Sequence, residues 1–119
     1  MFDQVLQRIV DETGGAVGAV LMGYDGIAIE QYFPAEEALD LQIVAIEYSN
    51  VLKEIRKTSE VLKLGNMEEV SIKTERFIIV IRAITSEYFV ALTLYKEGNF
   101  GKGRYLLTRE TANLVEALI

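Results

Sequence analysis

The chain contains no cysteine and no histidine, and its one proline is Pro34. Without cysteine there is no disulfide framework, no thiolate zinc site and no thiol nucleophile. Without histidine the commonest general base is missing as well. No Gly-x-Ser-x-Gly elbow, Walker loop or Gly-x-Gly-x-x-Gly turn is present, so nucleophilic hydrolysis and nucleotide chemistry lose their usual signatures. Basic runs are absent too. The 12 Lys and Arg are dispersed among 18 Asp and Glu, for a net charge of −6. Phosphate neutralisation needs clustered cations, so nucleic acid is not expected as a partner. The longest strongly apolar run, residues 77–81, stops at Arg82. That is far short of the roughly 20 residues of a membrane helix, so no membrane insertion is expected. Met1-Phe2-Asp3-Gln4 has no basic segment ahead of an apolar run, which predicts no secretory leader and a cytoplasmic protein.

What is present is globular. Half of the 119 residues are hydrophobic and a quarter charged, enough for one domain spanning 1–119 with a core of its own. The dispersed acidic charge serves solubility.

The chain is organised around residues 39–64, which read as one helix of about 39 Å. Leu41, Ala45, Tyr48, Leu52, Ile55 and Leu62 recur at steps of three and four, and Val44 and Val51 widen that face. This is the pattern of a core-facing helix. Leu39, Ile43 and Ile46 fall on the opposite side, with Val61 further along. A second apolar stripe predicts a helix that packs on its own sheet with one face and on another polypeptide with the other.

The remaining elements fall on either side of this helix. Phe2, Val5, Leu6, Ile9 and Val10 give an amphipathic first helix ended by Gly14-Gly15. Residues 16–22 and 27–32 form two strands joined at Asp25-Gly26, a hairpin signal because both residues tolerate positive φ. Residues 33–38 form a loop. Beyond Gly65-Asn66 come strands at 70–75, 77–84 and 88–95, with links too short for crossover helices. A loop at 96–102 precedes a last helix from about Gly103, with Leu107, Thr111, Leu114, Val115 and Leu118 buried. The expected fold is α+β: five antiparallel strands with helices over both faces. The 70–75 strand is amphipathic and precedes the meander, which places it at a sheet edge that must be blocked or used.

Candidate chemistry is sparse. Glu36-Glu37-Asp40 and Glu68-Glu69 sit where helix starts and strand entries carry solvated charge. The glycine-rich entry to the last helix, with Lys102 and Arg104, has the ingredients of an anion site, although a turn that brings helix close to sheet explains it as well. Arg82 interrupts an apolar strand and must reach solvent or a carboxylate. No convergent polar set is visible, and no metal or cofactor is expected.

Three stretches, in this order, resemble the roadblock/dynein light chain domain. They are Gly15-Ala16-Val17-Gly18-Ala19-Val20-Leu21 leading to Asp25-Gly26-Ile27-Ala28-Ile29; Val61-Leu62-Lys63-Leu64-Gly65 with Met67 and the strand up to Glu75; and Asn99-Phe100-Gly101-Lys102-Gly103-Arg104-Tyr105-Leu106-Leu107. The resemblance spans essentially the whole chain. It implies a longin/profilin-like sandwich, with the long helix on one face of the five-stranded sheet and the two terminal helices on the other. It further implies a homodimer that pairs the third strand with its copy and sets the two long helices side by side. The dimer residues would then be Leu39, Ile43 and Ile46 on the helix and Val70, Ser71, Ile72, Lys73 and Thr74 on the strand. A two-fold interface is self-complementary, which would account for both the second stripe and the open edge.

Members of this family serve Ras-like small GTPases, some as activating partners of the gliding-motility Mgl type and others as scaffolds. The resemblance therefore implies a non-enzymatic regulator that binds a Ras-like small GTPase across the paired long helices. Asn50, Lys53, Glu54 and Lys57 supply the polar part of that face. A scaffold that only recruits another protein is the alternative, and a small-molecule sensor a third. Activators of this family rearrange the GTPase's own groups, so no arginine finger carries over; Arg56 and Arg104 are the two placements to test.

Overall fold

Two stretches have no polar face at all, β1 (Ala16–Gly23) and β5 (Tyr88–Tyr95), and both are buried along nearly their whole length. Such strands need cover on both sides. β4 (Phe77–Ala83) is nearly as apolar, whereas β2 (Ala28–Tyr32) and β3 (Glu69–Lys73) are short and half-exposed. The computed structural model describes residues 1–35 and 40–119 and arranges these strands in one antiparallel sheet ordered β2–β1–β5–β4–β3. The apolar strands take the centre and the short ones the edges, as burial requires.

The helices divide between the faces. α1 (Phe2–Glu12) and α3 (Phe100–Leu118) lay Leu6, Ile9, Leu106, Leu107 and Leu114 on Ala19, Leu21, Val80, Val90, Leu92 and Leu94. α2 (Leu41–Val61) covers the opposite face with Ala45 and Leu52 over Val20, Met22, Ile79, Ile81 and Phe89. The architecture is the expected α+β sandwich, one long helix against two terminal ones.

Several local expectations change. α2 is shorter than 39–64. Asp40 caps it by accepting the Gln42 and Ile43 N–H groups, and Lys63 and Gly65, both at positive φ, turn the chain away at the other end. Leu39 and the Glu36–Glu37 pair lie outside the described residues. The hairpin after β1 forms, but not with both Asp25 and Gly26 at positive φ. Only Gly26 has positive φ, and the Asp25 carboxylate instead accepts the Ile27 N–H at 3.0 Å. α3 starts three residues early, because the Asn99 side chain accepts the Lys102 N–H. Gly103 then lies inside its first turn, where an added Cβ would come within 3.0 Å of Leu92 Cδ2; the glycine lets the helix approach the sheet. Val51 and Leu62, read as core-facing, are 50% and 59% exposed.

α1 and α3 are also joined by charge. Glu110 is 5% exposed and accepts from Arg8 Nη2 at 2.6 Å, Arg109 Nε at 3.1 Å and Asn113 Nδ2 at 3.2 Å. Burial alone would raise its pKa. The three donors outweigh burial and hold the carboxyl below its ordinary 4.5. A depressed carboxyl contributes stability above its unfolded pKa and loses it as pH falls through the folded value. Glu110→Gln should therefore cost about 1–3 kcal/mol near neutral pH, and the gap to the parent protein should narrow as the pH falls below the carboxyl's ordinary 4.5. Urea denaturation at both pH values checks this; an equal gap at both would remove the carboxylate from the account.

Candidate interaction surface

α2 lies over β1. Its flank carrying Ile46 rests by the turn between β1 and β2, with Ile46 Cγ1 4.0 Å from where a Gly26 Cβ would stand. The other flank is therefore turned toward β4 and β3. At helical spacing that flank reads Val44, Tyr48, Val51, Ile55, Thr58 and Leu62, alternating steps of four and three. This is the spacing of a helix–helix seam. Val44 and Tyr48 pack against the cluster beneath α2, as do Val70 and Ile72 of β3. Val51 and Leu62 are left exposed.

β3 is the sheet's outer strand on this side. Its register pairs Val70 with Ile81 and Ile72 with Ile79, and Ala83 N–H donates to the Glu68 carbonyl at 2.9 Å. In an antiparallel ladder hydrogen-bonded residues alternate. Glu68, Val70, Ile72 and Thr74 thus use their backbone groups inward, and Glu69, Ser71 and Lys73 direct theirs outward. Thr74, grouped with the strand by its sequence pattern, lies beyond β3 in the turn, where its N–H donates to the Phe77 carbonyl.

The outer face of α2 holds Asn50, Lys53, Glu54 and Lys57 together, all exposed. Ile43 and Ile46 share that outward side, at 57% and 37% exposure. The structure does not bring those two isoleucines together with β3. The flank of α2 that does face β3 is missed when its residues are all assigned to the core; the signal was the unbroken four–three spacing through Val44, Val51 and Leu62.

The arginines are mostly committed. Arg104 grips Glu69 through Nε, at 3.1 and 2.9 Å, and Nη2 at 2.8 Å. The Lys102 N–H is taken by the Asn99 side chain and the Gly103 N–H donates to the Asn99 carbonyl, so these two backbone donors at the start of α3 are already engaged. Arg82 stands opposite Glu69 in the ladder, but that carboxylate belongs to Arg104, so the expected strand-end ion pair does not form. Arg56 lies over the Tyr24 ring, 4.1 Å from its centroid.

No family model and no curated protein matches the chain. Solved structures do. MglC from Myxococcus xanthus is 39% identical, over 99% of this chain and 98% of that one, with a TM-score of 0.68. The chain belongs to the roadblock/LC7 family. Other neighbours share this roadblock fold at lower identity. A Roadblock/LC7 domain from Streptomyces avermitilis is 14% identical over 98% of this chain and 96% of its own, with a TM-score of 0.85. The gliding protein MglB from Thermus thermophilus is 18% identical over 95% and 84%, with a TM-score of 0.84. Among the described residues of this roadblock protein no helix is long and apolar enough to cross a membrane, and no group of three metal-ligating side chains occurs.

Proposed function

We propose that this roadblock protein acts as one domain, residues 1–119, and forms a cytoplasmic homodimer that regulates a Ras-like small GTPase without an active site of its own. The observation that carries the reading is the open edge of β3 beside the unfilled flank of α2. Pairing β3 with its copy would satisfy the outward backbone groups of Glu69, Ser71 and Lys73. It would also bring Val44, Val51, Ile55 and Leu62 against a second long helix, so that Val70 and Ile72 become covered. Ile43 and Ile46 then remain outward with Asn50, Lys53, Glu54 and Lys57, and the two copies of this face form the surface offered to the GTPase. Kinship to the Mgl proteins supports the choice of partner.

The test is single-turnover GTP hydrolysis by the small GTPase encoded nearest to this protein, with and without a saturating amount of the dimer. Acceleration by about 100-fold or more makes it an activator. Binding without acceleration makes it a scaffold, and the engagement of Arg104 by Glu69 already speaks against an arginine finger at that position. Lys53→Ala with Lys57→Ala should weaken GTPase binding about 10-fold, from two lost charge-assisted contacts. Unchanged affinity would move the contact off these lysines.

A further inference from the structure

Arg56 and Arg82 hold no carboxylate among the described residues, and both line one cavity. Arg8, Arg104 and Arg109 each hold a carboxylate. Arg56 and Arg82 do not, in a chain where acidic residues outnumber basic ones. The cavity, about 380 Å³, opens at the end of the sheet between the last turns of α2 and the β4–β5 link. That volume suits a small molecule.

Each arginine is held as a binding group would be. Arg82 Nε is buried and has no acceptor. A buried donor without a partner is costly, and the cost persists here because Arg104 has taken Glu69. Arg56 is seated on the face of Tyr24, a contact that uses the plane of the guanidinium and leaves its N–H edge free. Burial pushes the Tyr24 phenol above its ordinary 10.0, with Arg56 opposing, so the hydroxyl remains a donor at neutral pH. Thr85 and Ser86 bring hydroxyls from the link. Thr85 Oγ1 already accepts from the Glu87 and Tyr88 N–H groups, which leaves its own hydrogen to donate.

The rest of the lining limits the ligand. Glu60 and Glu68 stand at the cavity, exposed and pairing with neither arginine. They disfavour a polyanion. Met67, Ala83 and Ile84 supply apolar wall. We propose that this cavity binds a small organic anion bearing a single carboxylate or phosphate head, held at the β4–β5 link between Arg82, which comes from the α3 face of the sheet, and Arg56, which comes from the α2 face. The two heads share one chemistry, a forked guanidinium on a compact oxyanion. The inference is independent of the GTPase reading.

The test is amide-resolved NMR titration of the full chain with inorganic phosphate and, separately, with butyrate, against sodium chloride at matched ionic strength. Saturable shifts confined to residues 66–68 and 82–87, weakened about 10- to 100-fold by both Arg56→Gln and Arg82→Gln, would support the site; whichever probe binds identifies the head. Should Arg82→Gln fail to fold, Arg56→Gln alone decides, since Arg56 is only part-buried and lies against the Tyr24 ring. Shifts that do not saturate, that chloride reproduces or that survive the substitutions would overturn it. So would a dependence on Arg82 seen only when a protein partner is added.

Discussion

Ser71→Pro is expected to turn the proposed dimer into a folded monomer. Proline removes one backbone N–H and fixes φ. At Ser71 that N–H points away from β4, so the subunit's own ladder loses nothing, and edge strands accept proline where the N–H faces outward. In a β3–β3 pair the same N–H would donate to the second copy. Two-fold symmetry places the substitution twice in one interface. Each proline leaves one acceptor across the interface without its donor, at about 1–3 kcal/mol apiece, and the two together correspond to at least about 30-fold in the dimer dissociation constant. Light scattering should fall from near twice the 13.4 kDa chain mass to the chain mass itself, with the circular dichroism spectrum retained. Val70→Pro is the contrast. Its N–H belongs to the inward set, so the expected loss there is in folding stability. A Ser71→Pro protein that keeps the dimeric mass would rule out pairing through β3 and transfer the burden to the α2 seam, where Val51→Glu is the corresponding test.

The order of elements was legible because the chain alternates so cleanly between period-two and helical spacing. β1, β4 and β5 are apolar on both faces and can only be central; the amphipathic residues 70–75 can only be an edge. Gly26 was legible as a turn signal, whereas Asp40 was grouped with solvated charge and Asn99 was given no capping role. A side-chain cap decides where a helix begins to within a few residues, and the sequence pattern placed α3 at Gly103 when the Asn99 carboxamide starts it at Phe100. The sides of α2 were harder. Apolar periodicity says that Val44, Val51 and Ile55 share a flank with the core positions, but not that the sheet beneath stops supporting that flank. The cavity at the sheet end was not legible at all. Tyr24, Arg56, Arg82 and Ser86 are distant in sequence, and Arg82 is orphaned only because a helix 22 residues further on, at Arg104, takes its cross-strand carboxylate.

Phe89→Ala should be the most destabilising single truncation on the α2 side of the sheet. Phe89 is fully buried and among the largest such side chains in the protein. It sits at the start of β5, opposite Met22 in one neighbouring strand and Ala83 in the other, with its ring 5.1 Å from that of Tyr24 at 51°. Removing the ring leaves a cavity walled by strands that cannot close, so the loss is both transfer and packing, about 3–5 kcal/mol. Against a total of about 5–15 kcal/mol for a domain of this size, that is a large fraction, worth a fall of roughly 10–20 °C in Tm. Phe77 provides the scale: it is half-buried at the start of β4 and its ring pairs more loosely with Tyr95, at 6.1 Å, so Phe77→Ala should cost less than half as much. Urea unfolding of the two variants makes the comparison. The consequence reaches the cavity as well. Tyr24 leans on Phe89 and Arg56 on Tyr24, so Phe89→Leu, which keeps most of the apolar volume but no ring, should fold and yet bind the anion more weakly. A Phe89→Ala loss below about 1 kcal/mol would mean that α2 settles into the space, and the seat of Arg56 would then not be a rigid one.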